Sequence, residues 1–152
     1  MYFCEMNFTD EYFMQQAYLE AEMAFDAGEI PVGAVVVLQN KIIGKGHNLT
    51  QHLQDVTAHA EIQAITAASN YLGAKYLTDC TLYVTLEPCI MCAGAIFWAK
   101  LGTLVYGASD PKAGFLRIKE SILHPKTQIK NGILEAQCSE IIQQFFLQQR
   151  KK

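Results

Sequence analysis

Segments with helical and with strand periodicity alternate along this sequence of 152 residues, and their order is the strongest constraint on the fold. Residues 32–38 and 41–46 form a predicted hairpin around Gln39 and Asn40, and further strands are predicted at residues 81–86 and 103–106. Helices are predicted at residues 9–27, 58–72, 88–100 and 134–149, where apolar residues recur at helical spacing. This alternation favours an α/β fold with helices on both faces of one sheet.

Capping residues set the predicted helix boundaries. Thr57 is the expected N-cap of the second helix, and Gly73 is expected to end it. Pro88 is expected to be the first residue of the third helix, because proline suits that position. Residues 48–56 are polar and predicted to form a loop, whereas residues 110–131 are poorly periodic.

The composition fits one compact domain spanning residues 1–152. Apolar residues make up 51% of the chain and charged residues 18%, which excludes a disordered protein. A net charge of −3 argues against a protein that coats nucleic acid electrostatically, although a local basic patch can coexist with an acidic whole. Arg150, Lys151 and Lys152 form such a patch, or they are solvated cations at a helix end.

The sequence predicts a cytoplasmic protein. Its first ten residues lack the basic and apolar regions of a signal peptide, and no stretch approaches the length of a spanning helix. Thiols stay reduced in the cytoplasm, where paired cysteines are metal or redox sites before they are disulfides. Of the five cysteines, three are interpreted as inert small apolar residues: Cys4, Cys80 and Cys138.

Cys89 and Cys92 follow Pro88 at the predicted start of a helix, directly after a strand. Cysteines three residues apart on a first helical turn project from one face, so both sulfurs can reach one ion. The positive end of the helix dipole also favours thiolate there. A thioredoxin-like dithiol occupies the same kind of position, so these two cysteines alone leave metal binding and redox chemistry open.

His59 favours the metal interpretation. One histidine and two cysteines make a catalytic zinc site in which the fourth position stays open to water. Glu61 can face that water without being a ligand, accept its proton and pass it to a departing amine. The plainer interpretation of Glu61 is a first-turn acid that stabilises the helix dipole. The other three histidines are interpreted as ordinary core or surface residues: His47, His52 and His124.

The chain resembles the bacterial tRNA-specific adenosine deaminases along nearly its whole length. The pair of motifs His-x-Glu and Pro-Cys-x-x-Cys is the known signature of zinc deaminases. Further matching segments are IPVGAVVV (30–37), GHN (46–48), TAHAEI (57–62), TLYVTLEPCIMCAGAI (81–96), VYGASDPKAG (105–114) and the ending GILEAQC (132–138) with Phe145 and Phe146. The resemblance implies a cytidine-deaminase-like three-layer α/β/α sandwich with a central mixed sheet of about five strands.

The same resemblance implies an activity. Residues 1–152 would form one zinc-dependent deaminase domain, a homodimer with one zinc ion per subunit. His59, Cys89 and Cys92 would be the metal ligands, and Glu61 would be the catalytic proton shuttle. The substrate would be the wobble adenosine of a tRNA anticodon loop, which water would convert to inosine.

Substrate contacts are implied as well. Asn48 would hydrogen-bond the flipped base, the Ala60 N–H would contact it, and Ile30 would line its pocket. Pro88 is a further implied substrate contact. Asp110 and Lys112 would lie near the flanking sugar and phosphates, and Phe145 or Phe146 near a neighbouring base. The plainer alternatives make Ile30 a core residue, Asn48 a turn residue and the phenylalanine pair an anchor for the last helix.

Two segments depart from the family's pattern, and both are candidates for contacting the anticodon loop. Residues 49–56 contain no Lys or Arg, and residues 114–125 lack the expected Gly-Ser stretch. The segment AIFWAK (95–100) resembles the bacterial guanine deaminases at Trp98, although a buried tryptophan on a packing helix explains this residue equally well. Deamination of a free base or nucleoside, such as guanine, cytosine or cytidine, is therefore the alternative activity. A structural zinc protein and a thiol redox protein are alternatives from other classes.

Overall fold

The computed structural model describes residues 7–151, so Cys4 and Lys152 lie outside the described residues. The helices are α1 (Asp10–Asp26), α2 (Thr50–Leu53), α3 (Ala60–Leu72), α4 (Ile90–Trp98) and α5 (Glu135–Arg150). The strands are β1 (Gly33–Leu38), β2 (Lys41–His47), β3 (Thr81–Leu86), β4 (Thr103–Ala108) and β5 (Gln128–Asn131). A short 3-10 helix covers Phe115–Arg117.

The five strands form one mixed sheet in the order β2-β1-β3-β4-β5. β1 runs antiparallel to both β2 and β3, whereas β3, β4 and β5 are parallel. The turn between β1 and β2 has positive φ angles at Gln39 (48°) and Asn40 (64°), as a tight hairpin of twisted strands requires. The predicted α/β class with a mixed sheet of about five strands is confirmed.

Helices cover both faces of the sheet because side chains of successive strand residues point to opposite sides. Ala34 and Val36 of β1 belong to a core cluster that also contains alanines of α3 and Ile96 of α4. Val35 and Val37 belong to a second cluster with residues of α1 and with Cys138 of α5. The architecture is therefore the predicted three-layer α/β/α sandwich.

Glycines on β2 let α3 lie unusually close to the sheet. A Cβ atom added at Gly46 would lie 2.5 Å from the Ala60 carbonyl oxygen and 2.7 Å from the Ala64 nitrogen. A Cβ at Gly44 would meet the Ala64 carbonyl oxygen at 2.5 Å, one turn further along the helix. This backbone contact therefore fixes the distance between α3 and the sheet. The predicted site residues lie at the start of α3.

The predicted start of α3 is wrong by two residues. The N-cap is His59 rather than Thr57, and the helix begins at Ala60 rather than at residue 58. The Thr57 hydroxyl donates instead to the Asp55 carboxylate at 2.7 Å, and this local turn uses the group that was expected to cap the helix. Gly73 ends α3 in the left-handed conformation, as predicted.

The predicted start of α4 is also wrong. Pro88 precedes the helix, whose N-cap is Cys89 and whose first residue is Ile90. The Pro88 carbonyl accepts the N–H of Phe115 at 2.9 Å, and Cys89 forms an isolated antiparallel bridge with Gly114. These long-range pairings keep residues 88 and 89 extended, so the helix cannot begin at the proline.

Two elements and one burial prediction differ from the sequence analysis. The predicted 48–56 loop contains the single turn α2, and the poorly periodic 110–131 segment contains β5. β5 is an edge strand of four exposed residues, so no alternation of apolar residues indicates it. Trp98 is 76% exposed, so its interpretation as a buried packing residue is wrong.

The contact between α3 and β2 predicts a stability difference between two Gly→Ala variants. We expect Gly46→Ala to lower the free energy of unfolding by about 1–3 kcal/mol, because the new methyl group must displace α3. Gly94→Ala is the matched control, because a Cβ there meets nothing within 4 Å and alanine favours the helix. Urea denaturation measures both changes, and equal effects of the two substitutions would contradict this packing.

Candidate active site

Strand ends from four chain segments meet at one edge of the sheet. Because β1 is antiparallel to its neighbours, Gly33 at its start pairs with His47 at the end of β2. The Gly33 N–H also donates to the Thr85 hydroxyl near the end of β3, at 3.1 Å. Leu86 of β3 pairs with Ala108 at the end of β4. The segments that carry the predicted site residues follow or precede these strand ends, where α/β sheets commonly bind ligands.

His59, Cys89 and Cys92 form a cluster at this edge. His59 and Cys89 are the N-caps of α3 and α4, with extended backbones that turn both side chains towards the same point. The His59 Nδ1 atom lies 3.6 Å from the Cys89 sulfur and 3.5 Å from the Cys92 sulfur. The three ligand atoms lie within 4.8 Å of one another, so the group is able to bind a metal ion.

The protonation states in this cluster depend on one another. Hydrogen bonds from the Cys92 thiol and the His59 ring lower the pKa of Cys89 to about 4. The pKa of Cys92 is raised, first by its hydrogen bond to Cys89 and then by burial. The pKa of His59 is raised by its hydrogen bond to Cys89. Cys89 therefore carries a thiolate at neutral pH, which is the form that binds metals.

Glu61 is buried directly beside the cluster, with 4% of its surface exposed. Burial raises the pKa of its carboxyl from 4.5 to about 7, and its own backbone N–H and the His59 ring only partly offset that rise. A carboxyl with a pKa near neutrality can both accept and donate a proton under physiological conditions. The position of Glu61 is therefore suited to acid–base chemistry.

A cavity of about 950 Å³ opens above this cluster. Six of the eight predicted substrate contacts line it: Ile30, Asn48, Ala60, Asp110, Lys112 and Phe146. Pro88 and Phe145 are not among its lining residues. Phe145 is buried, with its ring 6.1 Å from that of Phe25 on α1, so it anchors α5 to the rest of the domain.

Glu87 is a buried residue of the site that the sequence analysis missed. Its carboxylate accepts the N–H groups of Asp110 and Leu116, both at 3.1 Å. A side chain at Gly114 would overlap this carboxylate, so the loop from Asp110 to Leu116 packs closely over it. An acidic residue between a buried strand and Pro88 was the only available signal, because the partners of Glu87 are more than twenty residues away.

Arg150 is a second missed residue. The sequence analysis placed it in a C-terminal basic patch, but it lines the cavity together with Phe146 and Leu147 of α5. Helical spacing put Phe146 and Leu147 on the predicted helix 134–149, with Arg150 directly after it. Only the packing of α5 against β4 and β3 brings this face to the cavity.

The fold and the His-Cys-Cys cluster with its buried glutamate define a deaminase. The chain belongs to the MafB19-like deaminase family, whose model matches residues 8–150. The resemblance stated from the sequence motifs is confirmed, and the chain is similar to tRNA-specific adenosine deaminases in particular.

Two curated relatives differ greatly in length. The chain is 41% identical to the tRNA-specific adenosine deaminase of Streptococcus pyogenes serotype M18 over 146 residues, 93% of this chain and 92% of that protein. It is 44% identical to the chloroplastic tRNA(adenine(34)) deaminase of Arabidopsis thaliana over 163 aligned positions. That alignment includes 93% of this chain but only 12% of the plant protein.

Two solved structures are similar to the fold. A structure from a study of A-to-I editing by tRNA:A34 deaminases matches with a TM-score of 0.81 and 42% identity, covering 86% of this chain and 98% of that one. The guanine deaminase of Bacillus subtilis matches with a TM-score of 0.64 and 43% identity, covering 67% of this chain and 66% of that one. Within residues 7–151, no helix is long and apolar enough to span a bilayer.

The lowered pKa of Cys89 predicts its reactivity in the metal-free protein. We expect iodoacetamide to alkylate Cys89 at a rate that is nearly constant between about pH 5.5 and pH 8, because the thiolate is already formed. Buried Cys80 and Cys138, whose pKa values are raised, are internal controls that should stay unlabelled. Mass spectrometry of peptides measures each site, and a rate that rises about tenfold per pH unit would contradict the proposed thiolate.

Proposed function

We propose that this protein hydrolyses the exocyclic amine of the wobble adenosine in a tRNA anticodon, which yields inosine and ammonia. The observation that carries the proposal is the cavity of about 950 Å³ above a His-Cys-Cys cluster and a buried Glu61. The relative named tRNA-specific adenosine deaminase is 41% identical to this chain over 93% of its length, which supports the choice of substrate.

Zinc is the metal that fits the cluster best. A tetrahedral zinc ion with bonds of about 2.3 Å to sulfur and about 2.0–2.1 Å to nitrogen separates those two ligand atoms by about 3.6 Å. The His59 Nδ1 atom lies at 3.5 Å and 3.6 Å from the two sulfurs. Three protein ligands leave the fourth position of the ion for water, and thiolate with imidazole is a donor set that zinc prefers.

Glu61 performs the proton transfers in the proposed reaction. When zinc is bound, it makes a coordinated water acidic enough to act as a nucleophile near neutral pH. Glu61 would accept one proton from the attacking water and pass it to a ring nitrogen. It would then take the second proton from the newly bound hydroxyl group and pass it to the amine, which leaves as ammonia. Burial disfavours the charged carboxylate and so raises its pKa to about 7. At that pKa the group can both accept and donate a proton near neutral pH.

Residues along the cavity wall hold the base. We assign Asn48 to the base, because its side-chain oxygen already accepts the Thr50 N–H at 3.2 Å and its NH₂ group remains a donor. The backbone N–H of Ala60 and the side chain of Ile30 complete the base pocket, since both residues line the cavity. These contacts suit a base that has been flipped out of its stack.

The outer part of the cavity suits a nucleotide chain. Lys112 and Arg150 are the Lys or Arg side chains among its described lining residues, and both can neutralise backbone phosphates. Phe146 is 43% exposed and can stack on a neighbouring base, whereas Phe145 is buried. These cations compensate in part for residues 49–56, which contain no Lys or Arg.

A homodimer in the cytoplasm remains part of the proposal. Trp98, Ile90 and Met91 of α4 are exposed, and so are Leu53 and Val56 in the segment that precedes α3. Exposed apolar side chains of this size support an interface between two copies of the chain.

A guanine deaminase is the second candidate. The Bacillus subtilis enzyme is 43% identical over 67% of this chain, and the segment around Trp98 resembles bacterial guanine deaminases. The tRNA proposal is preferred because the structure from the tRNA:A34 deaminase study covers more of the chain, 86% against 67%, with a higher TM-score, 0.81 against 0.64.

Incubation with parallel substrates tests the proposed function. We expect the zinc-loaded protein to form inosine in an anticodon stem-loop with a wobble adenosine, and to release no ammonia from guanine, cytosine, cytidine or free adenosine. The same stem-loop with the adenosine moved one position away is the control for site selection. Release of ammonia from guanine without inosine in RNA would replace the proposal with the guanine deaminase alternative.

Replacement of Glu61 tests the proton shuttle in the same assay. We expect Glu61→Gln to keep its metal and fold but to lose about 10²–10⁴-fold in turnover, the usual contribution of general acid–base catalysis. Glu135→Gln is the matched control, because Glu135 is an exposed first-turn acid of α5 outside the cavity lining. Equal turnover by the two variants would show that Glu61 is no proton shuttle and only stabilises the dipole of α3.

A further inference from the structure

Glu29 is a fully buried carboxylate that the proposed chemistry does not use. It follows Gly28 at the end of α1 and has no exposed surface. Its carboxylate accepts the backbone N–H groups of Gln51 at 3.0 Å and His52 at 2.9 Å. The Nδ1 atom of the His52 ring lies 2.7 Å from the same carboxylate.

These hydrogen bonds keep Glu29 ionised. Burial alone would raise the pKa of a carboxyl group, but the hydrogen bonds from His52 and Gln51 outweigh it and hold this pKa below its usual value. A buried carboxylate with several donors binds them more strongly than a neutral acceptor does. Glu29 is thus a strong, fixed attachment point for residues 51 and 52.

The chain from residue 48 to residue 57, here termed the 48–57 loop, depends on that attachment. Its helix α2 has only four residues, and a single turn is not stable without tertiary contacts. The two ends of the loop are tied by hydrogen bonds of the Asn48 N–H to the Val32 carbonyl and of the Leu49 N–H to the Ala58 carbonyl. Glu29 supplies the hydrogen bonds that hold the middle.

Asn48 is coupled to α2 through its own side chain. The Asn48 Oδ1 atom accepts the N–H of Thr50, the first residue of α2, at 3.2 Å. A shift of α2 would therefore change the direction of the Asn48 amide in the cavity. Glu29 also directly precedes Ile30, so one buried carboxylate joins two segments of the cavity wall.

We propose that Glu29 is a positioning residue that fixes α2 and thereby aims the Asn48 side chain at the substrate base. Its effect on catalysis rests on the proposed function, whereas its effect on the loop does not. A Gln at position 29 would keep the shape but lose the charge, and its NH₂ group would face N–H donors.

Hydrogen exchange of the full-length protein tests the effect on the loop. We expect Glu29→Gln to accelerate exchange of the Gln51 and His52 amides at least about tenfold, because each loses an acceptor with full charge. Glu20→Gln is the matched control. Glu20 pairs with His47 Nδ1 at 3.5 Å in a second Glu–His contact, and within residues 7–151 its carboxylate makes no hydrogen bond to the 48–57 loop. Unchanged exchange at residues 51 and 52 in Glu29→Gln would overturn the proposal.

A double-mutant cycle with Asn48→Ala tests the effect on catalysis. We expect Glu29→Gln to lower kcat/KM for the stem-loop about fivefold or more in the wild type, but less than about twofold in the Asn48→Ala background. A merely structural loss would lower kcat/KM equally in both backgrounds, and that result would overturn the link between Glu29 and Asn48.

His52→Ala keeps the test valid if Glu29→Gln fails to fold. His52 is half exposed, and its removal deletes only the 2.7 Å contact of its ring with Glu29. We expect a smaller acceleration at the same amides and the same dependence on Asn48; exchange at the wild-type rate would overturn the proposal. If exchange of the loop is faster in Glu29→Gln but the unsubstituted protein forms no inosine, the role of Glu29 in holding the loop is supported. The proposed function is then contradicted instead.

Discussion

The contact between the His59 ring and two cysteine sulfurs depends on backbone packing throughout the domain. His59 and the cysteines lie some thirty residues apart and meet only because α3 and α4 begin at the same edge of the sheet. Gly44 and Gly46 let α3 lie directly on β2, and the bridge between Cys89 and Gly114 delays the start of α4. The ligand geometry is therefore a consequence of how close two helices come to one sheet.

Three buried glutamates surround the cavity, and their hydrogen-bond partners distinguish their roles. Glu29 accepts two backbone N–H groups and faces a histidine ring, so it stays charged and holds a loop. Glu87 likewise accepts two backbone N–H groups and holds the loop on the other side. Glu61 instead accepts its own backbone N–H and lies beside the His-Cys-Cys cluster. Burial is therefore the main influence on this carboxyl and raises its pKa to about 7. The proton transfer proposed above therefore uses the carboxyl with the fewest fixed donors.

The order of elements and the His-Cys-Cys cluster could be predicted from the sequence because both depend on local patterns. Periodicity located four of the five helices and four of the five strands, and three residues with ligand chemistry stood out at helix starts. The failures share one cause, which is long-range pairing. The Gln51 N–H of α2 donates to Glu29, the Pro88 carbonyl pairs with Phe115, and the edge strand β5 pairs with β4 without any apolar face of its own. None of these partners is close in sequence.

X-ray absorption at the zinc edge of the purified protein tests whether the His-Cys-Cys cluster binds zinc with a position left open. We expect one zinc ion per chain, with two sulfur ligands at about 2.3 Å, one imidazole nitrogen at about 2.0–2.1 Å and a further light atom. The sulfur and nitrogen ligands should be those of Cys89, Cys92 and His59, so Cys92→Ser should leave one sulfur. A protein without stoichiometric metal, or a closed site of four sulfurs, would contradict an open zinc site with three protein ligands.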